Sequence, residues 1–160
     1  MSGNLHFVAS VLGASVLMLG NRVQAAQPPA VPKAVCPVMA KPVKQDVSID
    51  YKGGKLYFCC SGCIEKFRAD TAKYAPYANY QLAVTGQAKQ VACPFTGRAL
   101  NPNIPPETVG ELSILFCCHG CKNTVARTDP KNRIRLVFGE PFDTTFVMKK
   151  TGEIKKSENR

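Results

Sequence analysis

Leu56-Tyr57-Phe58-Cys59-Cys60-Ser61-Gly62-Cys63 is the stretch that decides the fold, because it occurs twice; its second copy is Ile114-Leu115-Phe116-Cys117-Cys118-His119-Gly120-Cys121. Upstream of each copy stands a Cys-Pro pair, in Cys36-Pro37-Val38-Met39 and in Cys93-Pro94-Phe95-Thr96. The two halves therefore read C-P-x(21)-C-C-x-G-C and C-P-x(22)-C-C-x-G-C, offset by 57 residues at the first cysteine and 58 at the last. All eight cysteines fall on this pattern. A duplication of this kind announces two supersecondary units of one architecture.

The flanking residues say what that unit is. Val47, Ile49 and Tyr51 alternate with polar residues, Gly53-Gly54 supplies a turn and residues 56–58 return, which predicts a β-hairpin. Beyond Cys63, Ile64 and Phe67 share one face of a short helix. In the second copy Gly110 is the turn and residues 112–116 form the return strand. Val125 stands where Phe67 stood, and Asp129-Pro130 stops the helix. One more strand is expected after each helix, at residues 80–84 and 134–138. The expected fold class is thus small α+β: two tandem cysteine-dependent modules, residues 34–88 and 89–148, each a hairpin followed by a short helix.

Composition explains the need for cysteines. Aromatic residues are 8% of the 160 and tryptophan is absent. A module of roughly 50–60 residues is marginal on hydrophobic burial alone and is usually stapled by metals or disulfides. Residues 7–19 form a nearly unbroken apolar run, too short to span a bilayer comfortably, and Val23-Gln24-Ala25 offers the small residues that a signal peptidase inspects. Residues 1–25 are therefore expected to be a signal peptide, 26–33 a Pro-rich linker and 149–160 a basic disordered tail. Lys33-Ala34-Val35 before Cys36 is not a lipobox. The expected chain is exported, periplasmic or secreted, with no stable membrane span after cleavage. The net charge of +10 is spread along the sequence without an Arg-rich stripe interleaved with aromatics, so nucleic acid is not an expected partner.

A cysteine before a hairpin, joined by two where a strand passes into a helix, lets sulfurs from separate segments converge. The helix N-terminus favours the thiolate that coordination needs. Four sulfurs suit Zn²⁺, and soft thiolates also select Cu(I). Cys36, Cys59 and Cys63 form the first core set, and Cys93, Cys117 and Cys121 the second. Cys60 and Cys118 complete each group of four, but adjacent cysteines rarely both reach one ion, so their part is open, with hand-over of the ion as one role. The expected cofactor is a zinc or copper ion, two per chain. His119 has Ser61 as its counterpart and is read as a solvent-facing loop residue. Met39 has Thr96 as its counterpart and is read as packing.

At these residues the sequence resembles the YHS/TRASH family, a treble-clef-like module marked by one cysteine, a spacer of about twenty residues and F-C-x-x-x-C. The mark stands here as Cys36 with Phe58-Cys59 and Cys63, and as Cys93 with Phe116-Cys117 and Cys121. The first copy keeps Phe67, Asp70 and Tyr74 of the downstream pattern but has Thr71 for proline. The second keeps Asp129-Pro130 but has Val125 and Arg133 for aromatics. The resemblance implies heavy-metal binding in handling, buffering or sensing, with a metal-transport or metal-accepting protein as partner, and it does not imply catalysis. The competing expectation is a disulfide-stapled or structural-zinc interaction module, since exported proteins with even cysteine counts usually form disulfides. Literal C-x-x-C motifs also raise thiol redox catalysis, but neither copy has the length for a βαβ framework.

Overall fold

The structure, a computed structural model, describes residues 34–149. The expected signal peptide and Pro-rich linker lie outside the described residues, as does the basic tail beyond Lys149. Strands β1 (Lys44–Tyr51) and β2 (Gly54–Phe58) form the first hairpin, with Ile49 opposite Leu56 and Tyr51 opposite Gly54. Lys52 and Gly53 turn it with φ of 49° and 79°. Two left-handed residues are what a two-residue hairpin loop of matching twist requires. Helix α1 (Ser61–Ala69) starts within the cysteine cluster, and α2 (Thr71–Val84) follows after a single residue.

Strand β3 (Ala88–Gln90) leads into the second module. There β4 (Glu107–Val109) and β5 (Leu112–Ile114) form the hairpin, followed by α3 (His119–Arg127) and α4 (Pro130–Phe138). The short α5 (Phe142–Thr145) and β6 (Phe146–Met148) close the described chain. Strand β6 returns to pair antiparallel with β3, Ala88 opposite Met148. The hairpin-then-helix unit expected from the repeat is therefore present twice, in a small α+β fold.

Two of the expected strands are helices. Residues 80–84 belong to α2 and residues 134–138 to α4. The motif read as a helix stop is a stop and a restart. Asp70 accepts a hydrogen bond from the Lys73 N–H at 3.1 Å, and Asp129 accepts one from Lys131 at 2.9 Å, so each aspartate caps the second helix of its module. Pro130 occupies the first helical turn, where its missing N–H costs nothing. Ala78, Asn79, Tyr80, Gln81, Leu82 and Ala83 are all buried. A helix sheathed on every side shows no amphipathic period, and a short apolar run of this kind reads equally well as a strand.

These second helices carry the core. Helix α2 packs along α4, and Tyr80, Leu82 and Ala83 join Val109, Ile114, Phe116, Val125, Val137, Phe138, Phe142 and Phe146 in the larger hydrophobic cluster. Tyr80 meets Phe138 edge-on at 5.4 Å, and the Asn79 side-chain amide donates to the Phe138 carbonyl at 2.8 Å. The smaller cluster belongs to the first module: Cys36, Leu56, Phe58, Cys63, Phe67 and Ala78. Gly110, at φ 62°, turns the second hairpin against the Tyr80 ring, and the Glu111 N–H donates to the Tyr80 hydroxyl at 2.9 Å. A Cβ at position 110 would run into that ring. The hairpin tip thus needs glycine for space as well as for conformation.

Candidate metal centre

Each sulfur site is assembled from three short segments. The first segment is a tight turn. Cys36 donates its N–H to Lys41 O at 2.8 Å while its own carbonyl accepts from the Ala40 N–H at 2.8 Å; Cys93 repeats this with Arg98 and Gly97, both at 2.9 Å. The left-handed position is Ala40 (φ 52°) in one turn and Gly97 (φ 66°) in the other. Alanine there costs about 1 kcal/mol relative to glycine. The second segment is the hairpin's exit, which delivers Cys59 and Cys117. The third is the first turn of the following helix, with Cys60 and Cys118 as extended N-caps and Cys63 and Cys121 inside.

The sulfurs of Cys36, Cys59 and Cys63 all lie within 4.8 Å of one another, and so do those of Cys93, Cys117 and Cys121. Cys59 and Cys63 are 3.5 Å apart, and Cys117 and Cys121 3.8 Å. Tetrahedral thiolates on zinc, each at about 2.3 Å from the ion, stand about 3.8 Å from one another. The donor type and spacing therefore fit a thiophilic ion. Cys60 and Cys118 stand outside the triads. Both are exposed, with Cys60 sulfur 3.4 Å from Cys63 and Cys118 sulfur 3.6 Å from Cys121.

The surroundings divide the thiols. Burial pushes Cys93 up, but N–H groups of Cys117 and Phe95 and the Thr96 hydroxyl outweigh it and bring the thiol down to about 7. At Cys36 burial is likewise outweighed by N–H groups of Cys59, Val38 and Met39, so it lies below the usual thiol value. Cys63 and Cys121 are pushed well up by burial and by neighbouring sulfurs that would share any negative charge. In each site the turn-borne thiol is therefore shifted toward easier deprotonation and the helix-borne one away from it.

Two glutamines that the sequence reading did not single out hold these segments in place. Gln81, 1% exposed, donates its amide to the carbonyls of Val35 and Tyr57, each at 2.8 Å, and accepts from the Tyr57 N–H at 2.7 Å. Gln90 donates to the carbonyls of Ala92 at 3.1 Å and Leu115 at 2.8 Å, and accepts from the Leu115 N–H at 3.0 Å. Val35 and Ala92 each precede the turn cysteine, and Tyr57 and Leu115 each lie two residues before the Cys-Cys pair. Each glutamine therefore ties the turn segment to the hairpin exit. No spacing betrays them, because one sits on α2 and the other on β3, off the repeat's register. Gln81→Leu should cost about 2–4 kcal/mol by leaving backbone groups unpaired. It should also weaken metal binding at the first site while the second holds its ion, as read by urea denaturation and per-site metal titration.

His119 is exposed and belongs to neither triad. Met39 is 47% exposed, so it is not the packed residue expected from the sequence. At the equivalent place the Thr96 hydroxyl lies 3.2 Å from the Cys117 sulfur. Among the described residues no helix is long and apolar enough to cross a membrane.

A hairpin, a helix start and a thiol triad, built twice, define a cysteine-rich module of the metal-binding class. Residues 34–78, within the first module, match the family model of the YHS domain. The second module, outside that match, is tied to it by the repeated turn, triad and capping geometry. No curated protein and no solved structure matches the chain.

Proposed function

We propose that the chain is an exported, non-catalytic metal-handling protein that carries two thiophilic ions, copper or zinc, one at each triad. The observation that carries this reading is the pair of triads, Cys36/Cys59/Cys63 and Cys93/Cys117/Cys121, with matching spacing. Cargo is favoured over structure by where the core lies. The larger cluster contains fourteen buried residues and only one cysteine, Cys93, so most of the buried apolar surface does not depend on an ion. Cys59, Cys117 and Cys121 are only partly buried, which leaves both sites open to exchange. An exported donor or acceptor of metal is the partner this role needs.

One observation favours a structural role for the first ion: Cys36 and Cys63 are two of the six buried residues in the first module's own cluster. Native mass spectrometry before and after chelation tests both readings. Two bound ions, with the helical circular dichroism retained after stripping, is the expected result. No metal together with eight oxidised cysteines overturns it in favour of a disulfide framework, and collapse to coil on chelation overturns the cargo role in favour of structural zinc.

A further inference from the structure

We propose that Cys60–Cys63 and Cys118–Cys121 are reversible disulfide sites, and that closing either one with a disulfide-bearing oxidant expels the ion from its triad. The inference rests on the metal reading and deepens it. Three observations converge. Cys60 and Cys118 are exposed and lie outside the triads, so an oxidant can reach them without entering the buried part of either site. Their sulfurs already lie 3.4 Å and 3.6 Å from the helix-borne triad member, and a disulfide needs about 2.05 Å. The arrangement also occurs twice, on the same extended N-cap, with φ of −162° and −156°. The exposed sulfur's reach is therefore a property of the unit and not of one side chain's chance rotamer.

The chemistry runs by thiol–disulfide exchange. The Cys60 sulfur attacks one sulfur of the oxidant, and the S–S bond of the oxidant breaks. A mixed disulfide forms and the first thiolate leaves. Cys63 then attacks the Cys60 sulfur, the mixed bond breaks and the second thiolate leaves. Two electrons have passed from the Cys60 thiol and the metal-bound Cys63 thiolate to the oxidant; one of its two thiolates takes up the Cys60 proton, and the charge of the other is balanced by the cation that Cys63 releases. Cys63 can no longer coordinate, and the triad is reduced to Cys36 and Cys59. Cys118 and Cys121 repeat the sequence and leave Cys93 and Cys117. Cys59 lies as near to Cys63, at 3.5 Å, but is a poorer starting point because it is half-buried and itself a triad member. Two sulfurs do not hold zinc against competition as three do. Each module then becomes a metal site that reports on the thiol–disulfide balance around it.

The test uses the full chain loaded with zinc and treated with oxidised glutathione, with release followed by a zinc-binding dye and disulfides mapped by peptide mass spectrometry. Release of both ions, with bridges mapped to 60–63 and 118–121, is the expected result. Cys60→Ala/Cys118→Ala should load two ions and release them about tenfold more slowly under the same oxidant, since the accessible attacking sulfur is gone. Release from this variant at the wild-type rate, or bridges mapped to 59–63 or 36–59, overturns the proposal. A wild-type chain that binds no zinc sinks the metal reading instead, while the mapped bridges still decide the pairing.

Discussion

Phe138→Ala should destabilise the protein by about 3–5 kcal/mol, a large part of the roughly 5–15 kcal/mol that holds a domain folded. Phe138 is fully buried at the point where the two modules meet. Its ring contacts Tyr80 from α2 and Phe146 from β6 at centroid distances of 5.4 and 5.3 Å, and its carbonyl accepts the Asn79 amide. Removing the ring opens a cavity bordered by both modules, so both should unfold together. Urea denaturation followed by circular dichroism at 222 nm should show one transition with its midpoint lowered by about 2 M, taking a slope of about 2 kcal/mol per M. Two separate transitions, with the first module unaffected, would mean that the shared core contributes little.

That joint core was the part of the fold least legible in the sequence. The cysteine spacing displayed the duplication, the hairpins and the helix starts, because turns and ligands depend on a few residues at fixed separations. The second helices stayed hidden for a physical reason. Helix α2 is buried all round near its C-terminal end, so its residues there show no helical period and read as a strand. Asp129-Pro130 terminates one helix and caps the next, and read alone it shows only the first role. The triads could be named from spacing, whereas Gln81 and Gln90 could not. Their work is to satisfy backbone groups brought together by tertiary structure, and each comes from a different element. Met39 differs from the packed residue expected for the same reason: exposure there is set by how the turn meets the rest of the fold, not by the residue's hydrophobicity.

Cys63→Ser should remove one ion and leave the other, giving one metal per chain in place of two. Cys121→Ser should do the same at the second site, and the double variant should bind none. The hydroxyl of serine is a hard, weakly acidic donor and a poor substitute for a thiolate on copper or zinc. The two triads share no sulfur, which predicts independent losses. Serine nearly matches cysteine in size, so the buried position of Cys63, 3% exposed, should tolerate the change without collapse of the neighbouring Phe58 and Phe67. Native mass spectrometry of the three variants reads the stoichiometry directly. Loss of both ions from either single variant would show that α2 and its contacts couple the sites so tightly that neither fills alone.

The pairing of β3 with β6 sets an order on events during synthesis. The first triad is complete in the nascent chain once Cys63 has emerged from the ribosome, and α2 soon after. The surface that α2 must bury has no counterpart until α4 and Phe146 follow, and β3 waits for Met148 to complete its sheet. Chains fold as their segments become available, N-terminal parts first. Throughout that interval the first module has its three thiols but lacks the surface that covers α2. What it meets while still unfinished, whether ion, oxidant or chaperone, acts on it before its own second half does.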